Sequence, residues 1–309
     1  MFISYKSVSI GSGCNFNCLF CGCEKKDSEK FTTEELKARL LAMPESENIE
    51  FTGGELFIRR DAAAIIKIAA QRFCSVKCNT NGVVFAYKKA LDALCVCGLN
   101  NIYVKFFSTD PKIHAAITRT DTLKYVVEGF ENLVSRHKQA SDPFIDKWEC
   151  GFFLATEIFI HSMTLPTLEE TAKYISGKQI PRLIFDFNHS DCASDEAILT
   201  ARRCIDESVG NGTWAVIKGL PACAMRGFEE HCGDAFRLDR FIPGNVFILG
   251  VCEKCVLFST CGGVPASLED KRKWTPITIE SGMKNLDDII HFHSHIPAKL
   301  PSIQSGARQ

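Results

Sequence analysis

Short apolar or β-branched runs alternate with helical stretches along the first two-thirds of this chain, and that alternation is its strongest constraint on fold. A strand that is followed by a helix rejoins its sheet in parallel, through a crossover, so the pattern predicts consecutive βα units. Strands are expected at residues 5–10, 48–51, 75–79, 101–106, 150–156 and 182–187. Helical patterns lie between them. Thr32 and Thr33 with Glu35 open one in the manner of a capping box, and Asp61 opens the apolar stretch 62–70. Stretches 84–97, 122–137, 168–176 and 191–208 follow, the last stopped by Gly210. Six βα units in a row predict an α/β fold, a partial (β/α)6 TIM-like barrel over residues 1–212, in preference to an open doubly wound sheet. Beyond about Gly210 the texture changes. Gly, Pro and Cys crowd residues 219–263, after a strand-like 214–218, and a charged and then Pro/Ser/His-rich tail follows from Ser267. Residues 213–309 therefore read as a Cys-rich C-terminal extension.

With 46% hydrophobic and 24% charged residues, the chain can bury a sizeable core, which excludes wholesale disorder. Its 36 basic and 37 acidic residues leave a net charge of −1, so bulk electrostatics gives no reason to expect a nucleic-acid partner. No apolar run approaches the roughly 18 residues of a membrane span, and the opening residues enter a strand pattern with no signal-peptide core. A soluble, cytoplasmic protein is the expectation. Against this ordinary background stand 16 cysteines. A long, signal-less chain is not a disulfide scaffold, so clustered cysteines point to metal or redox chemistry and scattered ones to small core residues.

The first cluster follows the first strand directly: Cys14, Cys18 and Cys21, a C-x3-C-x2-C loop. Three thiolates on one short loop can hold three irons of a 4Fe–4S cube and leave the fourth iron open. A structural zinc site needs a fourth ligand, which Cys23 can supply, so zinc is the other reading of the loop alone.

The loop, with the aromatic Phe20 before its third cysteine, resembles that of the radical S-adenosylmethionine (SAM) superfamily. Further stretches match in order. Thr52-Gly53-Gly54-Glu55 ends the second strand and is similar to the family's GGE motif; Asn79-Thr80-Asn81-Gly82 ends the third and is similar to its TNG turn. Ser108-Thr109-Asp110-Pro111, with His114 and Arg119 beyond, ends the fourth and resembles an S-x-D-G-P…H…R stretch, although the intervening Gly is missing here. Each element has an ordinary reading, as a turn at Gly53-Gly54 or Asn81-Gly82 and as a helix cap at Ser108. Their joint placement at the carboxyl ends of successive strands is where barrels put their active sites. The resemblance implies a SAM-binding 4Fe–4S cluster on Cys14, Cys18 and Cys21. It also implies SAM contacts from Phe20, Gly53, Gly54, Glu55, Asn81, Ser108 and Arg119, with the GGE backbone and acid meeting the methionine amino group. One electron from the reduced cluster would cleave SAM to methionine and a 5′-deoxyadenosyl radical, which abstracts a hydrogen from substrate.

A second group, Cys252, Cys255 and Cys261, has the spacing C-x2-C-x5-C, and Cys223 lies upstream in Leu-Pro-Ala-Cys. It resembles the twitch/SPASM extensions of radical SAM enzymes. That likeness implies one auxiliary 4Fe–4S cluster on Cys223, Cys252, Cys255 and Cys261, Cys223 coming from a hairpin. Pro265 stands where a full SPASM pattern continues with cysteine, and Cys232 is the region's spare thiol. Zinc is the alternative occupant. The other cysteines, Cys74, Cys78, Cys95, Cys97, Cys150, Cys192 and Cys204, read as core residues, Cys78 with a view of the barrel interior. His291, His293 and His295 read as a solvated tail, and Glu157 is anomalous within an apolar run.

Taken together these elements resemble maturases of ribosomally made peptides, such as those of His-Xaa-Ser peptide systems. The expected function is modification of a peptide or protein side chain. The alternative is a small-molecule substrate in cofactor or natural-product biosynthesis, and an idle iron–sulfur or zinc scaffold is the non-enzymatic reading. Expected partners are a peptide or protein substrate and a reductase or flavodoxin-type electron donor. With Cys14 so near the first residue, a leader peptide would be bound by the barrel, the extension or a separate recognition protein.

Overall fold

The computed structural model describes residues 5–21, 31–45, 48–140, 151–188, 194–233, 245–246, 250–258 and 261–265. Cys23, Cys150, Cys192, His291, His293, His295 and the tail from Ser267 lie outside the described residues.

The fold is α/β. Strands β1 (Lys6–Ser9), β2 (Asn48–Thr52), β3 (Ser75–Thr80), β4 (Asn101–Phe106), β5 (Phe153–Phe159), β6 (Arg182–Asp186) and β7 (Trp214–Lys218) form one sheet in chain order. Helices α1 (Thr33–Ala42), α2 (Ala62–Arg72), α3 (Lys88–Val96), α4 (Pro111–Thr118), α5 (Leu123–Ala140), α6 (Leu168–Ser176) and α7 (Asp195–Gly210) follow the strands. The chain divides into two compact units. Among the described residues, one comprises 5–105 and 114–155 and the other 106–113 and 156–265.

In the first unit β1, β2, β3 and β4 pair in parallel. Their alternation sorts the side chains by face. Val8, Ile10, Ile49, Phe51, Val76, Cys78, Ile102 and Val104 are buried on one face. The opposite face is polar: Lys77 pairs with Glu50 at 2.7 Å and lies over the Tyr103 ring, and the Tyr5 hydroxyl and the Asn101 amide both meet Ser75 Oγ at 3.2 Å. Cys78 alternates with Lys77 and Asn79 onto the apolar face, where burial pushes its thiol well above the usual range.

Local chemistry sets the helix ends. Thr32 Oγ1 accepts from the Glu35 amide at 3.2 Å and Glu35 accepts from the Thr32 amide at 2.8 Å, a reciprocal cap. The expected helix 84–97 is interrupted. Gly82 is left-handed (φ 82°), residues 83–86 make one 3-10 turn that buries Phe85 against Phe57, and extended Tyr87 precedes α3. Helix α5 closes on this turn at Gly129, where a Cβ would stand 2.2 Å from the Gly82 carbonyl oxygen.

In the second unit β6 and β7 pair in parallel along their whole length. The strand-like segment before Cys223 is thus a seventh sheet strand and not one arm of a hairpin. Helix α7 begins at Asp195 because Ser194 Oγ caps the Ala197 amide at 3.2 Å. Glu157, anomalous in the sequence, faces Lys218 at 2.7 Å, and this ion pair accounts for a carboxylate in an otherwise apolar strand. A short antiparallel ladder joins β8 (Asn245–Val246) to β9 (Val264–Pro265). Among the described residues no helix is long and apolar enough to cross a membrane.

Candidate functional site

The loop from Gly11 to Cys21 leaves β1 and is immediately gripped by the end of β2. The Ile10 amide still donates to Thr52 O at 2.9 Å, then Gly54 N donates to Gly11 O at 2.7 Å and Glu55 N to Gly13 O at 2.8 Å. This grip requires glycine. A Cβ at Gly53, whose φ is +110°, would stand 2.4 Å from Gly11 O, and one at Gly54 would stand 2.0 Å from Gly13 O. Arg59 ties down the same junction, donating to Ile10 O at 3.2 Å and to Phe31 O at 2.9 Å while paired with Asp61 at 2.8 Å. Nothing in the sequence singled out Arg59 or Asp61 for this role.

Glu55 is 4% exposed, and its carboxylate reaches across to the end of β3. It accepts from the Asn81 amide at 2.7 Å, from Thr80 Oγ1 at 3.0 Å and from the Phe57 amide at 3.2 Å. Burial raises its pKa to about 7, against the lowering effect of those donors. Asn81 carries the connection onward. Its side-chain amide donates to Asn15 Oδ1 at 2.6 Å and lies 4.0 Å from Cys14 Sγ, while its oxygen accepts from the Val83 amide. Asn15 is thus a functional neighbour that motif spacing did not single out, and Thr80 gains a partner in Glu55.

The three thiols share this loop. Cys14 Sγ accepts from the Phe16 amide at 3.3 Å, and Cys21 N donates to Cys18 O. Burial pushes Cys18 up to about 11, with further increments from the negative charge of Cys14 and Cys21. Burial likewise raises Cys14. Three thiolates that feel one another repel unless a cationic centre neutralises them, and such a donor set fits a three-ligand iron–sulfur cluster. Phe20 is half-buried beside Cys21 in the chain.

Helix α4 supports the loop from a second direction. Thr118 O accepts from Asn17 N at 3.0 Å and Ile117 O from Leu19 N at 2.9 Å, while Phe16 meets the His114 ring edge-on at 5.8 Å. His114 is buried; its Nε2 is 3.2 Å from Thr122 Oγ1, and burial lowers its pKa to about 4. Arg119 is exposed just past the helix with φ +57°, a rare conformation for a side-chain-bearing residue. In the second unit, Ser108 is fully buried. Its hydroxyl accepts from the Asp110 amide at 2.9 Å and meets Thr167 Oγ1 at 2.8 Å, while Asp110 caps the first turn of α4. Ser108 is thus placed as a turn and cap residue.

The second cysteine group lies on turns beyond β7. Cys223 sits on a 3-10 turn after β7, and burial pushes its thiol up to about 12, with further increments from Cys261, Cys255 and Cys252. The Cys255 amide donates to Cys252 O at 2.9 Å, the Cys261 amide to Leu257 O at 2.7 Å, and the Gly263 amide to Cys261 Sγ at 3.4 Å. Cys232 stands apart, fully buried beside β7 through its bridge to Ile217. Among the described residues no three His, Cys, Asp or Glu side chains are arranged to hold a single metal ion.

Residues 8–141, which carry the loop, the Gly-Gly-Glu end of β2, the Thr-Asn-Gly end of β3 and α4, match the family model of the radical SAM superfamily. The match lies within the part of the chain that builds this site and marks a radical SAM domain there. Among curated relatives, a probable GTP 3',8-cyclase of Thermococcus kodakarensis is 29% identical over 132 residues, 41% of this chain and 42% of that protein. The chain thus matches under half the length of that relative. Among solved structures, Streptococcus suis SuiB bound to S-adenosylmethionine superposes with a TM-score of 0.53 at 11% identity, over 88% of this chain and 75% of that one. SuiB bound to precursor peptide SuiA gives 0.50 at 11% identity, over 77% of this chain and 53% of that one. These two likenesses are of fold.

Proposed function

We propose that this chain is a radical SAM enzyme that reductively cleaves SAM and removes a hydrogen atom from a peptide or protein substrate during its modification. One observation carries the reading: three thiols on a single loop, clamped by hydrogen bonds between the ends of β2 and β3 and the end of α4. Cys14, Cys18 and Cys21 would hold a 4Fe–4S cluster, which would supply the electron for reductive cleavage of SAM. The chain's own residues hold that loop in place. Gly53 and Gly54 present backbone at its entry, Asn81 orients Asn15 beside Cys14, and Phe20 lies on the loop itself while Arg119 follows α4. Residues 1–212 form the barrel domain and 213–309 the extension in this reading. Cys223, Cys252, Cys255 and Cys261 would hold one auxiliary 4Fe–4S cluster of the twitch type, which would supply a substrate-binding site or an electron acceptor. A flavodoxin-type reductase is the electron donor, and a separate protein can present a leader peptide.

The likeness of fold to SuiB bound to precursor peptide SuiA supports the peptide reading. The curated relatives, named as GTP 3',8-cyclases, favour the second reading, a small-molecule substrate. One assay addresses both. Anaerobically reconstituted protein with dithionite should convert SAM to 5′-deoxyadenosine, and absence of that product would overturn the proposal. Added GTP that accelerates the reaction and is itself consumed would move the substrate to the second reading.

A further inference from the structure

The resemblance assigns the Glu55 carboxylate to the amino group of methionine, yet in the structure that carboxylate is engaged elsewhere. It is 4% exposed, and its two oxygens already serve the amides of Asn81 and Phe57 and the hydroxyl of Thr80. A carboxylate offers about four acceptor positions, so three buried donors leave little of it for a ligand. What the group does hold is a chain of contacts. Glu55 fixes the backbone of Asn81, Gly82 N donates to Thr80 Oγ1 at 3.0 Å, and the Asn81 side chain, steadied by Val83 N, grips Asn15 next to Cys14. The amide of Glu55 meanwhile donates to Gly13 O, one residue before Cys14. One residue thereby joins the ends of β2 and β3 to both sides of the first cysteine.

We infer that Glu55 is a positioning residue, a latch that pre-shapes the Cys14–Cys21 loop through Asn81 and Asn15 before any cluster is present, and that its carboxylate does not bind SAM. The inference rests on the radical SAM reading only for what the loop holds; the latch itself belongs to the metal-free protein.

The test therefore begins with hydrogen–deuterium exchange on the metal-free full chain. Glu55→Gln replaces one acceptor oxygen by a donor and leaves a buried N–H or O–H facing it. Exchange in residues 11–21 and 79–83 should rise about tenfold, with α6 and α7 at their wild-type rates. Thr80→Val removes one of the three donors and should raise exchange in the same two segments by about threefold. After anaerobic reconstitution and reduction, the change that SAM makes in the cluster's electron paramagnetic resonance signal is titrated. Both variants should require more SAM, in the same order. If exchange stays at wild-type values and only Glu55→Gln needs more SAM, the carboxylate is a ligand contact and the latch is wrong. A rise spread over α6 and α7 as well would also overturn it, by making Glu55 a general stability residue. Should Glu55→Gln fail to fold, Thr80→Val decides alone. A signal that SAM does not alter even in the wild type, with the local exchange pattern intact, would remove the radical SAM reading and leave the latch standing.

Discussion

A single methyl group at Gly54 should dismantle the junction on which the cysteine loop rests. Its ideal Cβ would lie 2.0 Å from Gly13 O, 2.6 Å from Gly13 C and 2.8 Å from Ser12 C, where ordinary contact begins near 3.4 Å. All three atoms are backbone, so no rotamer change relieves the overlap. The least costly escape is to push residues 11–13 away from residue 54 by more than an ångström. That movement breaks the Gly54 N to Gly11 O bond at 2.7 Å and the Glu55 N to Gly13 O bond at 2.8 Å. Two hydrogen bonds at about 1 kcal/mol each, with about 1–3 kcal/mol of overpacking, give a penalty on the order of 4 kcal/mol. A domain has only about 5–15 kcal/mol to lose. Gly13→Ala is the matched control, because a Cβ there meets nothing within 4 Å. Urea unfolding of the metal-free variants, followed by iron analysis after anaerobic reconstitution, separates them. Gly54→Ala should lose stability by about that amount and fail to load the first cluster, while Gly13→Ala behaves like wild type. If the two variants unfold at the same urea concentration and both load fully, the close approach is not what holds the loop.

Replacing Cys14, Cys18 and Cys21 together by Ala should abolish 5′-deoxyadenosine formation and leave about four irons per chain, those of one remaining cube; turnover in that variant would remove the assignment. Wild-type protein purified anaerobically should carry about eight irons and eight sulfides, whereas zinc accompanied by only about four irons would place zinc on Cys223, Cys252, Cys255 and Cys261. His114 supplies a pH signature: its folded pKa of about 4 lies below the ordinary 6.5, so the stability it contributes is complete above pH 6.5 and is lost as the pH falls towards 4. Metal-free wild type should therefore lose more stability than His114→Gln across that window in urea titrations, and parallel pH curves would show that the ring is not held neutral by burial.

Some elements were legible because one physical cause dominates each. The capping box at Thr32 and Glu35 and the bounds of α6 depend on residues within a single turn of the helix they delimit. Elsewhere a more distant partner decided. The stretch 84–97 has helical periodicity throughout, but the left-handed Gly82 and the burial of Phe85 against Phe57 take its first turn into the packing of the β3 loop. Residues 214–218 read as a strand from composition; that they extend the sheet in parallel is set by their register with β6, which no local pattern encodes. Glu157 looked like an error in an apolar strand until β7 brought Lys218 to it.

The site divides along the same line. Residue type names the groups able to ligate, which is why four cysteines scattered from 223 to 261 and three at 14–21 can be singled out from the sequence alone. Which acceptor a carboxylate or hydroxyl serves is a question of register. Phe51 stands opposite Cys78, so Glu55, four residues beyond, and Asn81, three beyond, emerge at the same level of the sheet and can close on each other. A slip of one residue would turn Val76 and Cys78 out of the apolar face, and hydrophobic burial forbids it. The apolar alternation of β2 and β3, which carries no chemistry of its own, thereby fixes the pairing of Glu55 with Asn81. The polar motifs at the strand ends inherit their geometry from the hydrophobic residues beneath them.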